Sequence, residues 1–221
     1  SNVNEGFEVG ASVAVIYKGE MVVDIWGGHR EMERTSDWQS DTLVNVWSTT
    51  KTMMFLTLLT LADRGEISLT DPVYKYWPEF KVNGKEGIEI RHLMAHTAGL
   101  SGWAEPMTSD DLFNHDKCAA VLGAQAPWWT PGSQSGYHAI TQGYLIGEVV
   151  KRVTGQSLGN FFRENFAEPL GADFHIGTAP EHHHRITNVI PGVSLLDSTA
   201  QPDSIAVRTY TNPMLAAEIA W

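Results

Sequence analysis

From Met53 to Ala62 this chain is apolar on almost every face that a helix presents: Met53, Met54, Leu56, Leu58, Leu59, Leu61 and Ala62. A helix apolar nearly all round belongs in the middle of a core, so the remaining chain has to be folded about it. The helix is expected from about Ser48 to Asp63, with Arg64-Gly65 as its stop. A chain of 221 residues is ample for one large domain or two small ones around such a core.

The mouth of that helix carries Val46-Trp47-Ser48-Thr49-Thr50-Lys51. Helix positions i and i+3 share a face, so the Ser48 hydroxyl and the Lys51 amine are placed for contact. A neutral lysine there accepts the serine proton and turns the hydroxyl into a nucleophile. The partial positive charge of a helix N-terminus favours an alkoxide and disfavours a second cation beside it. One Ser-x-x-Lys is expected by chance about once in a chain of this size. Ser48 is the only serine here with a lysine at that offset, and a capping serine beside a solvated lysine is the competing reading.

Residues 9–28 read as a hairpin, with Val13, Val15 and Tyr17 alternating before a Lys18-Gly19-Glu20 turn and Met21–Trp26 running back to Gly27-Gly28. Apolar residues on both phases predict a sheet covered on at least one face by helix. Asp71-Pro72, Trp77-Pro78 and Asn83-Gly84 break residues 66–103 into short pieces. Helices are expected over 90–95, 110–123, 139–153 and 158–166. Beyond residue 172 short β-prone runs alternate with proline and glycine, and residues 212–221 begin one more helix. Two parts follow: residues 1–73 with the hairpin and the apolar helix, and residues 74–221, mainly helical.

A second chemical group lies at Gly136-Tyr137-His138-Ala139, in a Gly/Ser-rich loop ahead of the amphipathic segment. A tyrosine at a loop–helix junction projects its phenol into a cleft, and a nearby cation fits it for general acid–base work. Its ordinary alternative is a buried ring with a satisfied hydroxyl. Trp103, the adjacent Trp128 and Trp129, and His138 are candidates for the substrate wall, against plain packing as the usual fate of a tryptophan.

Ser48-x-x-Lys51, then His96-Thr97-Ala98-Gly99-Leu100, then Pro131-Gly132 shortly before Tyr137, resembles the serine β-lactamase and penicillin-binding-protein superfamily. The runs Gly136–Thr141, Gly147-Glu148, Arg152–Gly155 and Pro169–Asp173 are similar to its esterase branch, the family VIII carboxylesterases on a class C β-lactamase scaffold. The resemblance covers most of residues 9–220. It implies an α/β (α+β) fold in which an antiparallel sheet is flanked by helices, with a helical domain alongside. It further implies Ser48 as acyl-accepting nucleophile, Lys51 as proton acceptor, Tyr137 as the proton shuttle to the leaving group, and the Ser48 backbone N–H as half of an oxyanion hole.

Two departures matter. Where the lactamase motif carries asparagine two residues after the tyrosine, this chain has Ala139, which favours simple esters over lactams. The family's third motif, a Lys-Thr-Gly, His-x-Gly or Trp-Gly-Gly triplet, belongs to a late strand well beyond the tyrosine, and that strand is expected past the end of this chain. Trp26-Gly27-Gly28 has the letters but precedes the serine. The later strands of the sheet are therefore expected outside this chain, on a C-terminal remainder of the same protein.

Other chemistries fit less well. His182-His183-His184 point different ways as neighbours, so no metal site and no cofactor is expected. No nucleophile elbow between a strand and a helix and no phosphate-cradling glycine pattern is present. A net charge of −11 argues against nucleic acid and anionic membrane as partners. The single cysteine, Cys118, excludes an internal disulfide. With no leader and no membrane-length apolar run in the chain, a cytoplasmic place is expected. The reading that follows is a serine hydrolase of small-molecule carboxylic esters working through an acyl-enzyme. An amide hydrolase of the same fold (β-lactamase, D-amino-acid peptidase or aminohexanoate-oligomer hydrolase) is the first alternative. A non-catalytic binding or scaffolding protein is the second.

Overall fold

The structure is a computed structural model that describes residues 2–190, 201 and 203–213. It divides into two compact units, one built of residues 2–46 with 178–190 and the other of residues 47–177 with the described part of 194–219.

The first unit opens with a single turn, α1 (Asn2–Glu5), followed by the antiparallel pair β1 (Gly10–Tyr17) and β2 (Glu20–Gly28). The register runs from Gly10↔Gly28 to Tyr17↔Glu20, with a bulge between Val15 and Ile16. Lys18 and Gly19 both take positive φ, 51° and 84°, the geometry that a two-residue turn needs to match strand twist. Within this unit Ile16, Met21 and Ile25 stand 66%, 55% and 61% exposed, since two strands by themselves cannot bury two apolar faces.

The second unit holds the core and both chemical motifs. Its helices are α2 (Thr50–Asp63), α3 (Ile90–Met94), α4 (His115–Ala124), α5 (Thr141–Thr154), α6 (Leu158–Phe162), α7 (Glu168–Leu170) and α8 (Ile205–Thr211). The central helix is α5, not α2. It packs against α2, α3, α4 and α6 and buries Leu145, Ile146, Val149 and Val150. In α2, Met54, Leu58 and Leu61 face this core while Leu56 and Leu59 stand 40% and 45% exposed. The apolar composition of α2 thus exceeds what the described core uses.

Other boundaries differ for local reasons. The helix expected over 110–123 is split, because the extended Asn114 accepts the Lys117 N–H on its side chain and starts α4 afresh. The segment after α6 widens into a π-turn at Arg163–Ala167. In the tail, where β-prone runs were expected, Ser204 Oγ accepts the Val207 N–H and caps α8. Asn212 and Pro213 are not helical, and residues 214–221 lie outside the described residues. Lys85, fully buried, donates to the carbonyls of Val82 and Gln125 at 2.9 and 2.6 Å, and burial pushes its ammonium down to about 8.

Candidate functional site

Ser48 lies in a short 3-10 turn, Trp47–Thr49, that leads directly into α2. Trp47 takes a left-handed φ of 49°, a costly place for a bulky side chain, and the hydroxyl that follows it is exposed. The Tyr137 hydroxyl donates to Ser48 Oγ at 2.6 Å. Lys51, one residue into α2, is half-buried, and its amine donates to the Ala139 carbonyl at 2.8 Å. Its Nζ stands 5.2 Å from the Tyr137 ring centroid. The three residues named from two separate motifs, 89 positions apart at their widest bonded pair, meet in one place. Burial lowers the Lys51 pKa from its ordinary value, which is the direction a neutral amine at work requires.

The loop carrying Tyr137 is templated by the stretch His96–Leu100. Trp128 N–H donates to Gly99 O, Gly132 N–H to Thr97 O and Gly136 N–H to His96 O, at 2.7, 2.9 and 3.0 Å. Gly99 has φ +81°, and a Cβ there would stand 2.8 Å from both Pro127 Cβ and the Trp129 carbonyl. A Cβ on Gly136 would meet the Trp129 ring at 2.5 Å. Only glycine allows both approaches.

His138 is fully buried. Its Nε2 accepts the Leu100 N–H at 3.1 Å and its Nδ1 pairs with the Gly136 carbonyl at 2.6 Å. The ring is therefore a neutral strut between two backbones, not an open wall for substrate, and burial pushes its pKa down to about 4. An unfolded histidine titrates near 6.5. The unfolded chain binds the extra proton first, so this stabilisation is complete above pH ~6.5 and is lost as pH falls through ~4. The loss is about 3 kcal/mol by the linkage of pKa to stability. Urea unfolding at pH 7 and pH 4 should show that wild type loses about this much more stability than His138→Gln.

The three tryptophans also separate. Trp103 is 2% exposed, with Nε1 donating to the Cys118 carbonyl, so it belongs to the core. Trp129 is 9% exposed and stands edge-on to His138, with centroids 5.9 Å apart, which supports the tyrosine loop. Trp128 is half-buried under the Arg208 guanidinium of α8, 4.1 Å from its ring centroid. The residue with chemistry that sequence reasoning left without a role is His96, whose ring lies 4.6 Å from that of Tyr137. Its presence in His96-Thr97-Ala98-Gly99 was the available signal.

Among the described residues, one group of side chains has metal-ligand spacing: His115, Asp116 and Glu148. Its carboxylates already carry cations, Lys151 on Asp116 at 2.6 Å and Arg152 on Glu148 at 2.7 Å, so the cluster is an ion-pair network. No helix among the described residues is long and apolar enough to cross a membrane.

The family model described as Beta-lactamase matches residues 2–206. The chain belongs to the beta-lactamase family. It is 40% identical over 172 residues to the esterase/beta-lactamase LipL of Mycobacterium tuberculosis, an alignment that takes in 77% of this chain and 40% of LipL. It is 32% identical over 180 residues to the esterase EstB of Burkholderia gladioli, covering 74% of this chain and 45% of EstB. Among solved structures, a family VIII carboxylesterase superposes with a TM-score of 0.89 at 40% identity, over 99% of this chain and 58% of that one. The fold expected from the two motifs is thus the fold of the family, and its similar members include proteins named as esterases. The chain spans roughly two fifths of the length of the curated relatives it matches.

Proposed function

We propose that this chain carries the reaction centre of a serine hydrolase that cleaves carboxylic esters of small molecules through an acyl-enzyme. The observation that carries the proposal is the Tyr137 hydroxyl on Ser48 Oγ at 2.6 Å, beside a half-buried Lys51. A scaffold protein has no use for a serine, a desolvated lysine and a tyrosine held together at an exposed helix mouth. The names of LipL, EstB and the family VIII carboxylesterase support the ester class.

In this reading Lys51, as the free amine, takes the Ser48 proton while Oγ attacks the ester carbonyl carbon. The oxygen of that carbonyl becomes an oxyanion, and the Ser48 N–H, in the first turn where amides lack intrahelical partners, is one donor for it. Collapse breaks the acyl–oxygen bond. Tyr137 gives its proton to the departing alkoxide and recovers one from the Lys51 ammonium. Water then attacks the acyl-enzyme by the reverse sequence of proton transfers, releasing the carboxylic acid and restoring Ser48.

Ala139 offers its backbone carbonyl to Lys51 but no side-chain amide, which weakens the case for holding a lactam's amide arm. The test compares hydrolysis of nitrophenyl acetate and butyrate with that of nitrocefin by the full-length protein. The expected result is kcat/KM for the esters about 100-fold or more above that for nitrocefin, in line with the roughly 1–3 kcal/mol that an unmade hydrogen bond costs. Faster nitrocefin turnover would reverse the order of ester and amide.

A further inference from the structure

His96 touches the tyrosine loop from three directions. Its carbonyl accepts the Gly136 N–H at 3.0 Å. Its Nδ1 accepts the His138 N–H at 3.0 Å. Its ring lies against Tyr137, centroids 4.6 Å apart and tilted by 48°. The residues held are thus the tyrosine and both of its neighbours in the chain. The backbone of His96 is left-handed, with φ 59°, and this reversal after α3 turns its carbonyl and its imidazole toward the same loop.

The hydrogen-bond pattern defines the chemical form of the ring. Nδ1 is an acceptor, so the neutral tautomer carries its proton on Nε2. A proton on Nδ1 would remove the acceptor for the His138 N–H and place a second cation near Lys51. The groups that face His96 are Lys51 from α2 and Tyr137 and His138 from the loop. Burial and the Lys51 charge both lower its pKa, in keeping with the neutral form that the geometry requires.

The geometry points to His96 as the positioning residue that holds the Tyr137 phenol on Ser48 Oγ, acting through its neutral Nδ1. This rests on the proposed roles of Ser48 and Tyr137, and it adds a residue that acts through the phenol. A phenol on a flexible loop would have to be frozen in each turnover. A misplacement of about 1 Å in such a group can cost about 100-fold.

Two substitutions separate this role from general support of the fold. In His96→Asn the side-chain oxygen falls near the position of Nδ1, and asparagine tolerates a left-handed backbone. In His96→Gln the oxygen falls one bond farther out and misses the His138 N–H. With the full-length protein and a nitrophenyl ester, His96→Asn should keep kcat within about 5-fold of wild type. His96→Gln should lose about 30- to 100-fold in kcat, with KM changed less than about 3-fold, the signature of lost alignment rather than lost binding. In a Tyr137→Phe background the same Gln substitution should cost less than about 3-fold, because a residue that works through the phenol has nothing left to align.

Equal activity of the Asn and Gln variants overturns the assignment. So does a full Gln penalty that persists without the Tyr137 hydroxyl, which would make His96 a structural residue only. If Gln fails to fold by circular dichroism while Asn folds and stays active, the fold rather than the phenol depends on Nδ1, and the assignment also falls. If wild type hydrolyses no ester and Ser48 takes no fluorophosphonate, the reading of the site itself is at fault, a result distinct from all the others.

Discussion

Ser48→Ala should abolish covalent labelling by a fluorophosphonate and lower ester turnover by about ten-thousand-fold or more. A nucleophile and its base act as a unit, so removing the nucleophile removes nearly all of their joint contribution. What survives is binding and whatever oxyanion stabilisation remains. The proposed role makes the outcome specific to Ser48, an exposed residue whose Oγ accepts the Tyr137 hydroxyl. Intact mass before and after treatment gives the answer. Wild type should gain one phosphonyl adduct and the alanine variant none. Equal labelling of both would take Ser48 out of the mechanism.

Lys51→Met should cost about a thousandfold or more in kcat while leaving the fold intact. Methionine keeps the length and the buried stem of the side chain but cannot accept the serine proton. The pH dependence is the sharper readout. Burial lowers the Lys51 pKa, so the free amine is reached below the ~10.4 of an exposed lysine. Turnover in wild type should rise with pH through that ionisation, and the residual turnover of Lys51→Met should lack it. The sign follows from which form works, since protonation at lower pH removes the acceptor. A rise of the same midpoint in both proteins would assign the ionisation elsewhere, and a variant retaining most of its activity would remove Lys51 as the base.

The two effects differ in what they demand of the surroundings. Ser48 needs only to be reachable and aligned. Lys51 has to be neutral, which depends on desolvation by the packed elements around it. The amine is tied to the Ala139 carbonyl at the end of the tyrosine loop, so the bond that orients the lysine also joins the serine helix to that loop.

Sequence alone specified the chemical inventory and its order along the chain. The Ser48-x-x-Lys51 spacing is a helix-face argument that requires no partner. The hairpin with its turn at Lys18-Gly19, the helix expected from about Ser48 to Asp63 and the amphipathic helix expected over 139–153 follow from local periodicity and turn chemistry, and the structure has them, with both helices starting two residues later, at Thr50 and Thr141. Local signals also showed that Tyr137 sits at a loop–helix junction. They could not show which residues bracket it, because those contacts join positions about forty and ninety apart. Tertiary structure made α5 the central helix and left Leu56 and Leu59 of α2 in the open, since hydrophobicity states what can be buried and packing decides what is. It also turned His138 from a surface candidate into a buried strut and gave His96 its place against Tyr137. Both histidines owe their roles to backbone N–H groups that need acceptors in the interior, a demand that arises only once the chain has folded around them.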